Sequence, residues 1–134
     1  MTSIIDIEGI GKAYAPKLEA EGIHTTEALL NSCATPQGRK DLAEVTGISP
    51  KLILEWTNRA DLMRIKGVGT QYSDLLEAAG VDTVPELAQR NAQNLYKALV
   101  ETNESKNLVR QTPTSSQVEE WVQQAKSLPR AISY

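Results

Sequence analysis

The chain has 134 residues, 14 of them basic and 17 acidic, which gives a formal net charge of −3. This length suffices for one modest hydrophobic core or two small cores packed together. The acidic excess is similar in both halves, six basic against eight acidic residues in 1–60 and eight against nine in 61–134, and it disfavours strong sequence-independent DNA binding without excluding a local basic patch.

Apolar residues recur at helical spacing throughout, and alternating strand patterns are absent, so we expect an all-α fold of short helices. The first helix follows Gly11 and ends at Gly22, where glycine supplies a left-handed cap. Thr25 begins a short helix over 27–31, and the pairs Thr35-Pro36 and Ser49-Pro50 begin two more, each with proline just inside the cap residue. The helix from Thr35-Pro36 ends near Val45, and the one from Ser49-Pro50 carries Ile53 and Trp56.

The second half follows the same order. A helix after Gly69 ends at Gly80, and Thr83 with Glu86 predicts a capping box for a short helix over 85–89. A longer helix over about 94–102, a polar turn over 112–116 and a helix carrying Trp121 follow. Residues 129–134 are expected to form a terminal tail.

An internal repeat explains this order. Ten of the 23 residues in 7–29 are identical to the residue 58 positions later, and the helix of Trp56 matches that of Trp121 at an offset of 65. We therefore expect two pseudo-symmetric halves, 1–62 and 63–128, packed into one compact unit. The identical pairs include Gly9/Gly67, Gly11/Gly69, Tyr14/Tyr72, Leu18/Leu76, Gly22/Gly80 and Thr25/Thr83.

The repeated motif is hydrophobic-x-Gly-hydrophobic-Gly, found at Ile7-Glu8-Gly9-Ile10-Gly11 and Ile65-Lys66-Gly67-Val68-Gly69. Its first glycine permits a tight turn between two helices, and its second permits close backbone approach where the next helix begins. Backbone N–H groups at such a helix N-terminus suit a phosphate oxygen. The alternative is that these glycines only let two helices turn and pack.

These residues resemble the helix-hairpin-helix motif, and their pairing is similar to the tandem helix-hairpin-helix domain of DNA repair and recombination proteins. Thr46-Gly47-Ile48-Ser49 matches the motif in part, whereas Thr112-Pro113-Thr114-Ser115 has no glycine. The chain from about residue 6 to 128 also resembles a stand-alone helix-hairpin-helix family of unknown function known from cyanobacteria. The resemblance implies hairpin amides that clasp one strand of a DNA duplex, in some proteins with a monovalent cation on hairpin carbonyls.

The second hairpin is the better candidate for phosphate binding. Arg64 and Lys66 flank it, with Arg59 one helix earlier, whereas Asp6 and Glu8 precede the first hairpin and would repel phosphate. The candidate nucleic-acid-binding residues are Arg64, Lys66, Gly67, Val68, Gly69 and Thr70 in the second hairpin, and Gly9, Gly11 and Lys12 in the first.

No catalytic arrangement is recognised, so we expect a binding module and not an enzyme, without cofactor or metal. Trp56 and Trp121 are expected in the core, not as platforms for stacked bases. The lone His24 and lone Cys33 compose neither a zinc site nor a catalytic triad, and Cys33 is expected to be buried. The alternative function is a protein-interaction or scaffolding module that retains the fold without binding nucleic acid.

The expected location is the cytoplasm. Cys33 has no partner for a disulfide within the chain, and no apolar stretch approaches about 18 residues, so we expect a soluble protein with no membrane partner. The pattern does not fix the oligomeric state.

Overall fold

The computed structural model describes residues 2–134, which form eight α-helices and one 3₁₀ turn, Ile4–Asp6. The expected all-α fold is confirmed. The helices are α1 (Gly11–Glu19), α2 (Thr26–Ser32), α3 (Pro36–Thr46), α4 (Pro50–Leu62), α5 (Thr70–Ala78), α6 (Val84–Ala88), α7 (Ala92–Lys106) and α8 (Ser115–Ser127).

Most helix boundaries follow from side-chain caps and glycine. The Thr25 hydroxyl accepts from the Ala28 N–H and the Thr35 hydroxyl from the Gly38 N–H, both at 3.1 Å, as their cap positions predict. Gly22 and Gly80 have φ of 80° and 96°, a left-handed conformation that glycine adopts without the strain of a Cβ. The predicted stops after α1 and α5 are confirmed.

Three sequence-based details differ from the structure. The capping box predicted before α6 does not form: the Thr83 side chain makes no cap hydrogen bond, and the Glu86 carboxylate accepts from the N–H of Asp82, the residue before the cap, at 2.9 Å. Helix α7 is longer at both ends than predicted, since the Asn91 side chain caps its start. Residues 131–134, predicted as part of a tail, are held by hydrogen bonds to earlier residues.

The chain divides into two compact units. The first contains the residues up to Asp61 together with Ala131–Tyr134, and the second contains Leu62–Arg130. In the first unit α1 packs against the 3₁₀ turn. In the second, α8 packs against α6 and α7, and α5 packs against α7.

The core of the second unit comes from all of its helices and their connections. Its fully buried members include Leu76 in α5, Leu87 in α6, Leu99 in α7 and Val118 in α8. Trp121 is also in this core. In the first unit the buried side chains include Leu18, Cys33, Ile53 and Trp56, so burial is confirmed for both tryptophans and for Cys33.

Candidate nucleic-acid interface

The turn that precedes α5 is defined by a tight glycine. Gly67 has φ of 94°, and the Val68 N–H donates to the Ile65 carbonyl at 3.0 Å. A Cβ at Gly67 would lie 3.1 Å from the Trp121 indole nitrogen. Both the positive φ and this close contact require glycine at position 67.

The side chain of Gln124 fixes the residue before this glycine. The Lys66 N–H donates to the Gln124 Oε1 at 2.9 Å, and the Gln124 Nε2 donates to the Lys66 carbonyl at 3.2 Å. Both backbone groups of Lys66 are therefore held by helix α8, while the lysine side chain is exposed. The cationic head of Lys66 is free to lie beside the turn.

The turn that precedes α1 has corresponding contacts. Gly9 also has φ of 94°, and a Cβ there would lie 3.3 Å from the Trp56 indole nitrogen. The Arg59 Nη1 donates to the Glu8 carbonyl at 2.6 Å. Arg59 and Gln124 are 65 positions apart, the same offset that relates the two tryptophans. Sequence reasoning missed both of these caps, although this offset carried the signal that would have found them.

In each unit a tyrosine ring packs against the tryptophan beside the turn. The rings of Tyr14 and Trp56 are 5.2 Å apart at 58°, and those of Tyr72 and Trp121 are 5.3 Å apart at 53°. These tilted pairs lie in the favourable range for aromatic contacts. The Tyr72 hydroxyl donates to the Gln111 carbonyl at 3.1 Å, so this tyrosine packs inward with its hydroxyl near the surface.

The N-terminus of α5 has donors without acceptors in the protein. Among the described residues, the backbone N–H groups of Gly69, Thr70 and Gln71 have no hydrogen-bond acceptor, and Gly69 provides no side-chain cap. Side chains cap α2, α3, α7 and α8. Helix α5 therefore presents a row of uncapped amides at the positive end of its dipole.

The conformation of Gly69 corrects one expectation. Its φ of −99° and ψ of −162° are extended backbone that any residue adopts. No atom within 4 Å would meet a Cβ there, so the close backbone approach expected at this glycine does not occur within the chain.

The first turn differs at the corresponding position. Gly11 has φ of 50°, so the backbone itself favours glycine there. A cavity of about 420 Å³ lies at this turn, and its lining includes Asp6, Glu8 and Lys12. The carboxylates of Asp6 and Glu8 outnumber the single ammonium group of Lys12 around this cavity, so the local charge disfavours phosphate binding at the first turn.

The basic side chains considered for the second hairpin differ in exposure and in hydrogen bonding. Lys66 is exposed beside the turn, whereas the Arg64 Nη2 donates to the Pro129 carbonyl at 2.6 Å. Arg59, expected one helix before the second hairpin, donates from Nη1 to the Glu8 carbonyl of the first turn. Arg110 is exposed and adjoins Gln111, which contacts Tyr72 of α5.

Two further candidate residues have defined roles. The Val68 side chain is buried, so only its backbone is available at the surface. The Thr70 carbonyl accepts from the Ser73 hydroxyl at 2.8 Å. The Thr70 N–H lies in the first turn of α5, where backbone N–H groups have no acceptor within the helix. His24 is exposed.

The comparisons with known proteins show the family of this chain. In the part of the chain that the structure describes, none of the helices combines the length and apolar character needed to cross a membrane. Comparison with curated proteins and with solved structures gave no match. The family model described as "Domain of unknown function (DUF4332)" matches residues 8–128. The chain therefore belongs to the DUF4332 family.

Proposed function

We propose that this protein is a non-enzymatic module that grips the phosphate backbone of nucleic acid, with duplex DNA as the preferred form. The turn before α5 acts as a helix-hairpin-helix turn, and its contact residues are Lys66, Gly67, Val68, Gly69 and Thr70. Gly9, Gly11 and Lys12 form a weaker second contact. Residues 1–62 and 63–128 are the two tandem halves of this arrangement, and the protein works in the cytoplasm.

The observation that carries the proposal is the combination of glycine and uncapped amides at the start of α5. Gly69 needs no glycine for its own conformation, and nothing in the described chain crowds its Cα. A serine or threonine there would offer a hydroxyl to the first-turn amides, as threonine does for α2, α3 and α8, although Thr83 does not do so for α6. Glycine leaves both the space and the N–H donors for an external anion.

The repeated turn geometry supports the tandem interpretation. In each unit a tryptophan lies beneath the first hairpin glycine, stacks on a tyrosine and is followed three residues later by the side chain that holds the turn. This construction fixes the turn before any ligand binds. A preorganised row of amides binds phosphate without the entropy cost of ordering a loop.

Local charge decides which turn contributes most. Lys66 is exposed in the second turn, with Arg64 close in sequence, whereas Asp6 and Glu8 border the first. The exposed Arg110 adjoins Gln111, whose carbonyl accepts from Tyr72 of α5. Contacts to backbone phosphate carry no sequence information, so binding is expected to be sequence-independent and strongly weakened by salt.

A protein-interaction module is the second candidate. It is favoured by the net charge of −3, the sequence pI of about 5.2 and the absence of glycine from Thr112-Pro113-Thr114-Ser115. An acidic surface repels nucleic acid at long range. This candidate predicts no affinity for DNA at any salt concentration.

The test is a charge reversal at the turn with a matched control. Lys66→Glu and Lys40→Glu change the net charge equally, and both lysines are exposed, but Lys40 lies in α3, away from either glycine turn in sequence. Lys66→Glu should weaken binding of a short fluorescent duplex and reduce the slope of log affinity against log salt by about one to two. Lys40→Glu should have a much smaller effect. Equal effects of the two variants would remove Lys66 from the site.

A further inference from the structure

The last four residues form a docked segment within the first unit. Ile132 is 3% exposed. The Ser133 N–H donates to the Ala34 carbonyl at 2.8 Å, and the Ser133 carbonyl accepts from the Arg39 Nη2, also at 2.8 Å. The Ser133 hydroxyl also donates to the Ala34 carbonyl, at 3.3 Å. The segment is therefore held through its backbone, this hydroxyl and one buried aliphatic side chain.

Arg39 is the principal group of the docking surface. Only 7% of this residue is exposed, and its guanidinium donates to two backbone carbonyls, those of Cys33 at 2.9 Å and Ser133. A buried guanidinium requires acceptors for its N–H groups. One of the two carbonyls belongs to the docked segment, so a vacated surface would present a directed donor for the carbonyl of another peptide.

The aromatic residue of the segment adds a second recognition element. The Arg39 guanidinium carbon lies 5.6 Å from the centre of the Tyr134 ring, within cation–π range. The Tyr134 hydroxyl contacts the Asn58 Oδ1 at 3.0 Å. This ring is 59% exposed, so it lies over the arginine on the surface and is not part of the core.

The contacts of this segment are of the same kind as those by which proteins bind short peptides. Main-chain hydrogen bonds supply affinity for any segment, and alternate side chains select the sequence. Here Ile132 and Tyr134 are the selective side chains and Ser133 supplies the two backbone bonds. A segment with a single fully buried side chain opens at low free-energy cost compared with global unfolding.

We infer that the surface formed by Ala34, Arg39 and Asn58 is a peptide-binding site, occupied in this chain by its own residues 131–134. Its external ligand is a non-helical segment of a partner protein with an aliphatic residue, a small residue and an aromatic residue in succession. The chain's own segment competes with that partner, so the site is autoinhibited. This inference concerns the first unit and does not depend on nucleic-acid binding.

The test uses the full chain with its own segment released. Ile132→Asp places a carboxylate in the apolar site and should displace the segment. The probe is a fluorescent peptide of sequence Pro-Arg-Ala-Ile-Ser-Tyr, blocked at both ends, followed by anisotropy. It should bind the Ile132→Asp chain at least about tenfold more tightly than the native chain, because the native segment no longer competes. A control peptide with aspartate in place of isoleucine should bind neither chain.

Equal affinity for both chains, or no binding to an Ile132→Asp chain with native circular dichroism, would overturn the inference. If Ile132→Asp does not fold, Ser133→Pro replaces it, since proline removes the N–H donated to Ala34. Ser133→Ala is the matched control, since it keeps that N–H and loses only the longer hydrogen bond from the Ser133 hydroxyl to the same carbonyl, at 3.3 Å. Failure of both Ile132→Asp and Ser133→Pro to fold also overturns the inference, because a segment required for folding is not an exchangeable occupant.

Discussion

Substitutions at the two glycines of the second turn should have opposite effects on stability. Gly67 has φ of 94° and its Cβ would meet the Trp121 indole nitrogen at 3.1 Å. Alanine at position 67 should therefore cost about 1–3 kcal/mol. Gly69 is extended, has open space around its Cα and occupies the N-cap of α5. Serine there should cap the helix and restrict the unfolded chain, a gain of about 0.5–1.5 kcal/mol.

The assay is thermal and denaturant unfolding followed by far-UV circular dichroism. The two variants should differ by about 1.5–4.5 kcal/mol in the free energy of unfolding, or by roughly 6 °C or more in Tm for a domain of this size. Gly67→Ala should melt below the native protein and Gly69→Ser at or above it. If Gly69→Ser destabilised the protein as much as Gly67→Ala, the fold itself would require glycine at 69, and the argument for an external ligand would fail.

Three further substitutions test the construction around the turns. Gln124→Ala removes both hydrogen bonds to the Lys66 backbone. It should lower the free energy of unfolding, measured by urea titration, by about 1–2 kcal/mol. An unchanged value would show that water makes these hydrogen bonds equally well. Trp56→Ala, at a side chain 1% exposed, should cost about 3–5 kcal/mol, and a loss below 1 kcal/mol would contradict its anchoring role. Burial raises the pKa of the Cys33 thiol above its ordinary 9.0, against opposing effects of a hydrogen bond with Thr57 and the charge of Arg39. The thiol of the unfolded chain ionises at a lower pH than the buried thiol, so the free energy of unfolding falls as the pH rises above about 9. Cys33→Ala should make this fall smaller, measured as urea midpoints below and above pH 9. An unchanged fall would assign it to other groups.

The helices could be predicted largely from the sequence, because local signals determine where they begin and end. Thr25 and Thr35 are cap residues in any helical context, and Gly22 marks a left-handed stop. The 3₁₀ turn was missed although Ser3 caps it, because three residues are too few to show a helical period. Its Ile4 N–H also bonds to the His24 carbonyl. That bond joins residues distant in sequence and has no local signature.

The candidate site was predictable in position but not in conformation. The spacing of Gly67 and Gly69 located the turn, yet glycine permits nearly every backbone conformation, so its presence did not reveal that only Gly67 has a positive φ. The contact of Arg59 with the first turn was not predicted for a related reason. A long side chain reaches several acceptors, and the structure pairs Arg59 with the Glu8 carbonyl.

The most direct test of the central claim is a titration of one short fluorescent duplex with the native and Gly69→Ser chains at about 50 and about 200 mM salt. The uncapped amides of α5 predict that the native chain binds at low salt and weakens strongly at high salt. Gly69→Ser should bind markedly less at low salt while remaining folded, because its hydroxyl accepts from one of the first-turn N–H groups and its side chain fills the space beside the others. Equal binding by both chains, or no binding by the native chain at low salt, would contradict the claim that these amides hold a phosphate.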